Sequence, residues 1–474
     1  MDTSMPASVP AKTKATSLAS YFRVRARADR RIVLAAVIGG VGFDIASRVG
    51  IASAAATAWI VIVAAGLLLS GRVSGLTGRV LIGAAPLFGL LLAFRASPWV
   101  IVPTTVAVTL VLLLGVSHGA DGSAFAGTFT SLANRIWLVV CHLALAAGML
   151  KPTEASGKVH GLAITRGLLL GAPVALAIGL LLAWADPIFR SWFNLNVALN
   201  HLLLAAAGAW LVIGLARAAS AAKPSSALLP APSLGTVEAG LILGALCGLY
   251  LAFVAAQLVA LSDGGHHVLV TEGLTYAQYA RSGFFQLLAC AAITLVVLLA
   301  VRACADPDRL AIAALSWLTV ALTVLVVVVA IRRLQLYEAA FGLTLLRLAC
   351  LAAAAWIGVV FLLLGASIPR RGLPRRRFAA LVTVSGLVLI GIWGIANPAS
   401  IVARTNLNRS GHTFDLSQVP VLGSDAVPTM LANLGHSSNP RRVMVKLCSL
   451  PIDGTRFNLS QATARDDLAR ACGR

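Results

Sequence analysis

Runs of about 17–25 mostly apolar residues recur along this chain, and they constrain its fold more than any other feature. A run of this length crosses the hydrocarbon core of a bilayer as a helix, because lipid offers no hydrogen-bonding partner to a free backbone amide. The chain of 474 residues is 59% hydrophobic and only 12% charged, so a soluble domain could not cover its apolar surface. We therefore predict an all-α fold, a polytopic transmembrane helical bundle.

The apolar runs predict about twelve spans, within a range of 11–13. The spans are expected near Ile32–Ser47, Ala52–Ser70, Val80–Phe94, Trp99–Ser117, Ile136–Leu150, Leu162–Ala185, Val197–Ala216, Val237–Leu261, Gly283–Val301, Leu310–Ile331, Thr344–Leu364 and Phe378–Ile395. In one span, Gly240, Gly244 and Gly248 predict the close approach of another helix. The predicted organisation is a basic cytoplasmic tail over residues 1–31, the bundle over 32–396, and an extramembrane C-terminal tail over 397–474.

The net charge of +21 is concentrated in two clusters that precede the first and the last span. They comprise Lys12, Lys14, Arg23, Arg25, Arg27, Arg30 and Arg31, and then Arg370, Arg371, Arg375, Arg376 and Arg377. Such clusters stay in the cytoplasm and attract anionic headgroups, so we expect membrane lipids, and not nucleic acid, as partners. If both clusters are cytoplasmic, the C-terminal tail lies outside the membrane. A chain that starts inside and ends outside makes an odd number of crossings, which conflicts with the twelve predicted spans. We expect a missed span at Gly119–Asn134.

Ionisable side chains at membrane depth are the main functional signal, because each costs at least a few kcal/mol if it faces lipid. The acidic ones are Asp44, Asp186, Glu238 and Glu338, and the basic ones are Arg95, Arg333 and Arg347. They either line a site or form ion pairs that fix helix register, and arginines also snorkel to headgroups. The candidate polar intramembrane site comprises Glu238, Gln257, Arg281, Arg333, Tyr337, Glu338 and Arg347.

The sequence carries few other chemical signals. It has no phosphate-binding loop, no zinc helix and no nucleophile elbow, so we predict no cofactor, metal site or catalytic residue, and we do not favour an enzyme. Cys448 and Cys472 are the only cysteines of the C-terminal tail, and they are a candidate disulfide if the tail lies outside. The other cysteines read as small packing residues.

The segment Leu274–Gln286 is polar and aromatic, and it runs directly into an apolar span. Thr275, Tyr276, Tyr279, Phe284 and Phe285 predict an interfacial helix, because tyrosine suits the headgroup level, half buried and half wet. One interpretation is a structural elbow. The other is a gate or a contact with an anionic headgroup or solute, made by the two tyrosines and Arg281.

Several strings of the chain resemble, in order, motifs of bacterial membrane proteins in domain-of-unknown-function families 4153 and 4173. They are LTYAQYARSGFFQ at 274–286, LAWADPIF at 182–189, Glu238 with Phe253 and Gln257, RLQLYEAAFGLT at 333–344 with Arg347, Asn397–Pro398 through Asn406 and Arg409, DAVP at 425–428, and FNLS at 457–460. The resemblance covers roughly Ala172 to Ala471 and implies a multi-pass protein of the bacterial inner membrane. Gln278 and Gln286 stand where the family usually has carboxylates, so an acid–base site there would be lost.

Three functional classes fit the sequence, and the family resemblance does not choose among them. The first is transport, or lipid or solute handling, through the polar intramembrane site. The second is a membrane-anchored sensor or scaffold that acts through the C-terminal tail. The third is an intramembrane lipid-linked transferase, which the short early loops disfavour. A protein partner or an oligomer cannot be read from the sequence.

Overall fold

The computed structural model describes residues 24, 28–73, 75–117, 129–149, 197–221, 235–262, 284–304, 310–368, 374–409, 414–452 and 457–473. In these residues the fold is all-helical, with 86% helix and no strand. The bundle helices are α1 (Arg30–Val49), α2 (Ala54–Leu69), α3 (Leu76–Phe94), α4 (Pro98–Ser117), α5 (Phe129–Ala144), α6 (Val197–Ala219), α7 (Thr236–Ser262), α8 (Phe284–Cys304), α9 (Leu310–Phe341), α10 (Leu345–Ala366) and α11 (Arg375–Ala396).

The multi-span architecture is confirmed, whereas the count of twelve is not. Among the described residues, nine helices are long and apolar enough to cross a membrane, and two shorter apolar helices accompany them, Ala54–Leu69 and Ser131–Ala144. The predicted span Leu162–Ala185 lies outside the described residues. Length and hydropathy are local properties of a run, which is why ten of the other predicted spans coincide with helices. The span predicted at Ile136–Leu150 is instead a shorter helix with earlier bounds, Phe129–Ala144.

Contacts between helix ends divide the bundle into two faces. The amino-terminal face carries the start of α1, where Ala28 N–H donates to Met149 O (3.4 Å), and the α2–α3 connection, where Arg72 donates to Ser220 Oγ (2.8 Å). The carboxyl-terminal face carries the α1–α2, α3–α4 and α9–α10 connections and the end of α11. Helices α1 and α11, which the two basic clusters precede in the sequence, both begin on the amino-terminal face.

The conflict over an odd number of crossings falls between residues 117 and 197. The end of α4 lies on the amino-terminal face, since a Cβ on Gly115 would approach Gly78 O to 3.1 Å at the start of α3. The start of α6 lies towards the opposite face, near Asp44 of α1. Two spans between these points, as predicted at Ile136–Leu150 and Leu162–Ala185, would return the chain to the face that it left.

The described helices form two half-bundles joined by α11. The first half-bundle, α1–α6, has one shared core, and α7–α10 are packed around two others. Helix α11 contributes Leu387 to the first core and Phe378 to a core of the second. Gly394 allows α11 to approach α3, because a Cβ there would come within 2.6 Å of Leu91. The predicted close approach at the α7 glycines is not seen, since no described residue lies within 4 Å of a Cβ built at Gly240, Gly244 or Gly248.

The residues predicted only as a C-terminal tail fold into a helical unit on the carboxyl-terminal face, which we call the cap. Its helices are α12 (Pro398–Leu407), α13 (Gln418–Leu422), α14 (Val427–Ala432), α15 (Pro440–Cys448) and α16 (Leu459–Cys472). The cap has its own core, which includes Val402, Val419, Met430 and Leu447. The predicted pair Cys448 and Cys472 forms a disulfide between α15 and α16, with the Cα atoms 6.0 Å apart.

Candidate functional site

The predicted polar site does not gather in one place. Glu238 lies in the first turn of α7 on the amino-terminal face, where its carboxylate accepts a hydrogen bond from Gly235 N (2.8 Å). Gln257 is on the same helix, about 28 Å further along at 1.5 Å per residue. Glu238 therefore caps its own helix and does not join the other members. Arg281 lies outside the described residues.

The remaining members form contacts near the carboxyl-terminal face. Arg333 donates to Gln257 Oε1 (3.3 Å), which links α9 to α7. The guanidinium of Arg347 stacks 4.2 Å from the centroid of the Tyr337 ring, a cation–π contact between α9 and α10. Glu338 is next to Tyr337 in the chain and interacts electrostatically with Arg347 and Arg409. The described contacts of these groups are therefore mainly with one another.

The depth of this cluster depends on which part of α9 fills the bilayer. Helix α9 runs from Leu310 to Phe341, or about 48 Å, whereas the hydrocarbon core is about 30 Å thick. If its apolar part, which ends at Ile331, fills the bilayer, Glu338 lies about 10 Å beyond that end. On that placement the cluster lies at the membrane interface, because α9 continues for almost three turns past its apolar part.

One joint between the bundle and the cap is built from two motif strings. Gly342 ends α9 with φ +80°, and the next residue, Leu343, is held by the side-chain amide of Asn406 from α12. Asn406 Oδ1 accepts from Leu343 N (2.9 Å) and its Nδ2 donates to Leu343 O (2.7 Å). Arg409 adds a hydrogen bond to Ala339 O. A Cβ on Gly342 would lie 3.2 Å from Asn406 Oδ1, so glycine suits both the backbone and the contact.

A second joint uses the DAVP and FNLS strings. Asp425 is 3% exposed, and its carboxylate accepts from Ala96 N (2.9 Å) and Ser97 N (2.8 Å) at the start of α4, where the helix dipole favours an anion. Asn458 is fully buried, and its Nδ2 donates to Leu92 O (3.0 Å) and Arg95 O (2.8 Å) at the end of α3. The motif residues of the cap thus fasten it to the bundle, which favours a structural role for them.

The segment Leu274–Gln286 is only partly described. Thr275, Tyr276 and Tyr279 lie outside the described residues, together with the proposed interfacial elbow. Phe284 and Phe285 begin α8, and their rings meet edge to face at 5.2 Å. Phe284 is buried in the second half-bundle, whereas Phe285 is 60% exposed.

A polar network in the first half-bundle includes a residue that sequence reasoning did not single out. Asp44 of α1 is bound through one oxygen to Arg48 Nε (2.8 Å) and through the other to His201 Nδ1 of α6 (2.6 Å). A carboxylate at membrane depth needs a partner, and Arg48, one turn away, was visible in the sequence. Nothing in the sequence relates residue 44 to residue 201, since the two lie on different helices.

An apolar groove of about 610 Å³ lies between the half-bundles, with walls from α4, α10 and α11. It is lined by Pro98, Trp99, Val102, Pro103, Ala349, Ala352, Ala353, Trp356, Gly386, Leu389, Ile390 and Trp393. Two of its indole N–H groups are satisfied, since Trp356 donates to Ser385 Oγ (3.1 Å) and Trp393 donates to Trp99 O (2.9 Å). The groove therefore presents ring faces and small aliphatic side chains, and no described charged side chain lines it.

Pro103 explains the contact between Trp393 and the backbone of α4. Proline has no N–H, so it cannot bond the carbonyl of Trp99 four residues earlier in the helix. The indole N–H of Trp393 occupies that carbonyl, and the helix break becomes a link from α4 to α11.

Replacing Trp393 by phenylalanine is expected to lower the free energy of unfolding by about 1–3 kcal/mol, because it leaves the Trp99 carbonyl without a partner. The measurement is the thermal unfolding of the purified protein in detergent. Pro103→Ala restores the missing N–H, so Trp393→Phe should cost clearly less in that background. An equal cost in both backgrounds would contradict this assignment.

The described part of the chain is a helical bundle of membrane-spanning type with a disulfide-bonded cap, and in it no group of three or more His, Cys, Asp or Glu side chains could hold a metal ion. A family model described as "Domain of unknown function (DUF4153)" matches residues 82–433. The chain belongs to this family, as the motifs predicted, and the match runs from α3 into the cap. No curated protein and no solved structure matches the chain.

Proposed function

We propose that this protein handles lipids in the bacterial inner membrane, and that the groove between its half-bundles holds an acyl chain. The observation that supports this proposal is the groove itself. Ala349, Ala352 and Ala353 on α10 and Gly386 on α11 leave the space that larger side chains would fill. Since the lining offers apolar surface only, an acyl chain is the membrane component that it complements.

The dimensions of the groove agree with this occupant. From Trp393 to Gly386 it follows α11 for seven residues, or about 10 Å. One leaflet contributes about 15 Å of hydrocarbon, so a chain entering from the carboxyl-terminal face would lie within that leaflet.

The positively charged side chain of Arg95 lies at one end of the groove, which we call its mouth. Arg95 donates from Nε to Gly394 O (3.0 Å) and from Nη2 to Ile395 O (2.9 Å), directly after Trp393 in the chain. Its side chain is only partly buried, so the guanidinium remains accessible to a lipid headgroup at the membrane surface.

The proposed orientation places the amino-terminal face in the cytoplasm and the cap outside. Two features support it. The basic clusters precede helices that start on the amino-terminal face. The cap contains a disulfide, which persists in an oxidising compartment.

The test is lipid labelling. A phospholipid with a photoactivatable group on its acyl chain should label the wild-type protein on peptides of α4, α10 and α11 in vesicles. Ala352→Phe fills the groove and should reduce labelling of these peptides about tenfold, the effect of losing roughly 1.4 kcal/mol of binding. Ala355→Phe is the matched control, because Ala355 lies on the same helix but is exposed and outside the groove lining. Equal labelling in both variants would rule out an acyl-chain site here.

A scaffold role is a second candidate, and α15 is the feature that favours it. This helix buries Val443 and Leu447 in the cap and exposes Arg441, Arg442 and Lys446, with Val445 71% exposed beside them. Such a face suits an acidic protein surface. A partner that crosslinks at position 445 in intact cells, and is lost on charge reversal of the three cations, would support this role. Crosslinks that are unchanged by the charge reversal would count against it.

The solute-transport alternative predicts a flux that Glu238→Gln and Glu338→Gln both abolish. Its support is weaker, because these two carboxylates are on α7 and α9 at opposite faces of the bundle. No described cluster favours the transferase alternative.

A further inference from the structure

A chamber of about 270 Å³ with mixed polar and apolar walls lies between the bundle and the cap. Ala96, Ser97 and Pro98 line it on the bundle side. On the cap side it is lined by residues 420–424 and 450–452 and by Gln461 of α16. Pro98 also lines the apolar groove, so the chamber lies next to the mouth of the groove.

Two side-chain atoms in this chamber are buried without a hydrogen-bond partner. They are Ser97 Oγ, on a residue only 6% exposed, and Gln461 Oε1. Native interiors leave few such atoms unpaired, because a buried polar group without a partner is destabilising. Their neighbours in the same joint, Asp425 and Asn458, are fully engaged in hydrogen bonds. The chamber therefore offers two free hydrogen-bonding positions within an otherwise satisfied interface.

The chemistry of these positions narrows the occupant. Gln461 Oε1 only accepts, so the occupant must donate a hydrogen, whereas Ser97 Oγ can donate or accept. No lining residue is ionisable, and both oxygens of the nearby Asp425 carboxylate are already bonded to backbone N–H groups. A charged occupant would therefore be buried without compensation. A hydroxyl group satisfies both positions, and the volume exceeds what a single water needs.

We propose that the chamber binds a neutral, hydroxyl-rich group of the polyol or sugar type. The group comes either from a free solute or from the uncharged headgroup of a lipid whose acyl chain lies in the groove. The lipid source rests on the proposed lipid-handling function, and the free-solute source does not.

The test is native mass spectrometry of the full-length, delipidated protein with three probes. They are methyl glucoside, a monoglucosyl diacylglycerol, and phosphatidic acid with the same acyl chains. The wild-type protein should bind at least one glucosyl probe, and Ser97→Ala combined with Gln461→Met should weaken that binding about tenfold. Ser438→Ala, at an exposed serine of the cap, is the control and should bind as the wild type does.

The outcomes separate the two sources. Binding of methyl glucoside that survives Ala352→Phe identifies a free solute. Binding of the glucosyl lipid alone, lost in Ala352→Phe, identifies a headgroup. Acyl-chain labelling in the groove should be unchanged by the two chamber substitutions. If the chamber binds no glucosyl probe, the proposed lipid-handling function is therefore not contradicted.

The stability of the unliganded protein provides a second measurement. Because Ser97→Ala and Gln461→Met remove unpaired buried atoms, the unfolding temperature should stay the same or rise, whereas a structural role for these atoms predicts a fall. A fall, or binding of neither glucosyl probe, or equal binding in the chamber variants and the control, would overturn the proposal and leave a chamber that holds only water.

Discussion

Replacing Asp425 by alanine is expected to lower the free energy of unfolding of the cap by about 3–5 kcal/mol. The substitution removes a buried carboxylate that accepts two backbone hydrogen bonds, from Ala96 N (2.9 Å) and Ser97 N (2.8 Å). Both N–H groups then remain at the start of α4 without a partner from the cap. Thermal unfolding in detergent measures the loss, and limited proteolysis should release the cap at a lower temperature.

Asp466→Ala is the matched control, because Asp466 is an exposed carboxylate of the same cap, and it should change stability by less than about 0.5 kcal/mol. Asp425→Asn should fall between the two, since an amide oxygen still accepts one hydrogen bond. If Asp425→Ala is as stable as Asp466→Ala, the carboxylate does not fasten the cap to the bundle.

Removing the disulfide is expected to destabilise the cap by about 3–4 kcal/mol, because the bridge closes a loop of about 25 residues in the unfolded chain. Cys448 and Cys472 are separated by 24 positions, so Cys448→Ser with Cys472→Ser frees the whole segment from α15 to α16. Denaturant unfolding of the wild type with and without reductant measures the same difference. The reduced wild type should match the double variant.

Cys290→Ser is the control for the loss of a cysteine, because Cys290 is an exposed free thiol of α8. It should leave the reductant response intact. The redox state in intact cells also tests the orientation, since a cap outside the cytoplasm should resist thiol labelling until it is reduced. Rapid labelling of both cap cysteines without reductant would place the cap in a reducing compartment.

Helix positions, class and family could be predicted from the sequence because each depends on local strings. An apolar run specifies its own helix, and α8 and α10 begin within a few residues of the predicted spans. The common cytoplasmic side of the two basic clusters stays a prediction, which rests on the charge that flanks each span. The segment around α5 was less predictable, because its moderate hydropathy does not distinguish a crossing from a surface helix.

The candidate site was predicted less well, because the residues that come together in it are determined by their positions along the helices and by contacts between helices. Glu238 looks like a membrane carboxylate in the sequence, yet it caps its own helix at the amino-terminal face. The contact of Arg347 with Tyr337 joins two helices through a turn that Gly342 permits.

The sequence by itself determined that this protein is a multi-span helical protein of the DUF4153 family, since hydropathy and motif strings are read along the chain. Only the tertiary structure decided what the motif residues touch. Asn406 binds Leu343, Asp425 binds the start of α4, and Asp44 meets His201. The groove and the chamber could not be predicted from the sequence either. The space between helices depends on how their surfaces pack, and the sequence pattern of one helix does not specify the surface of its neighbour.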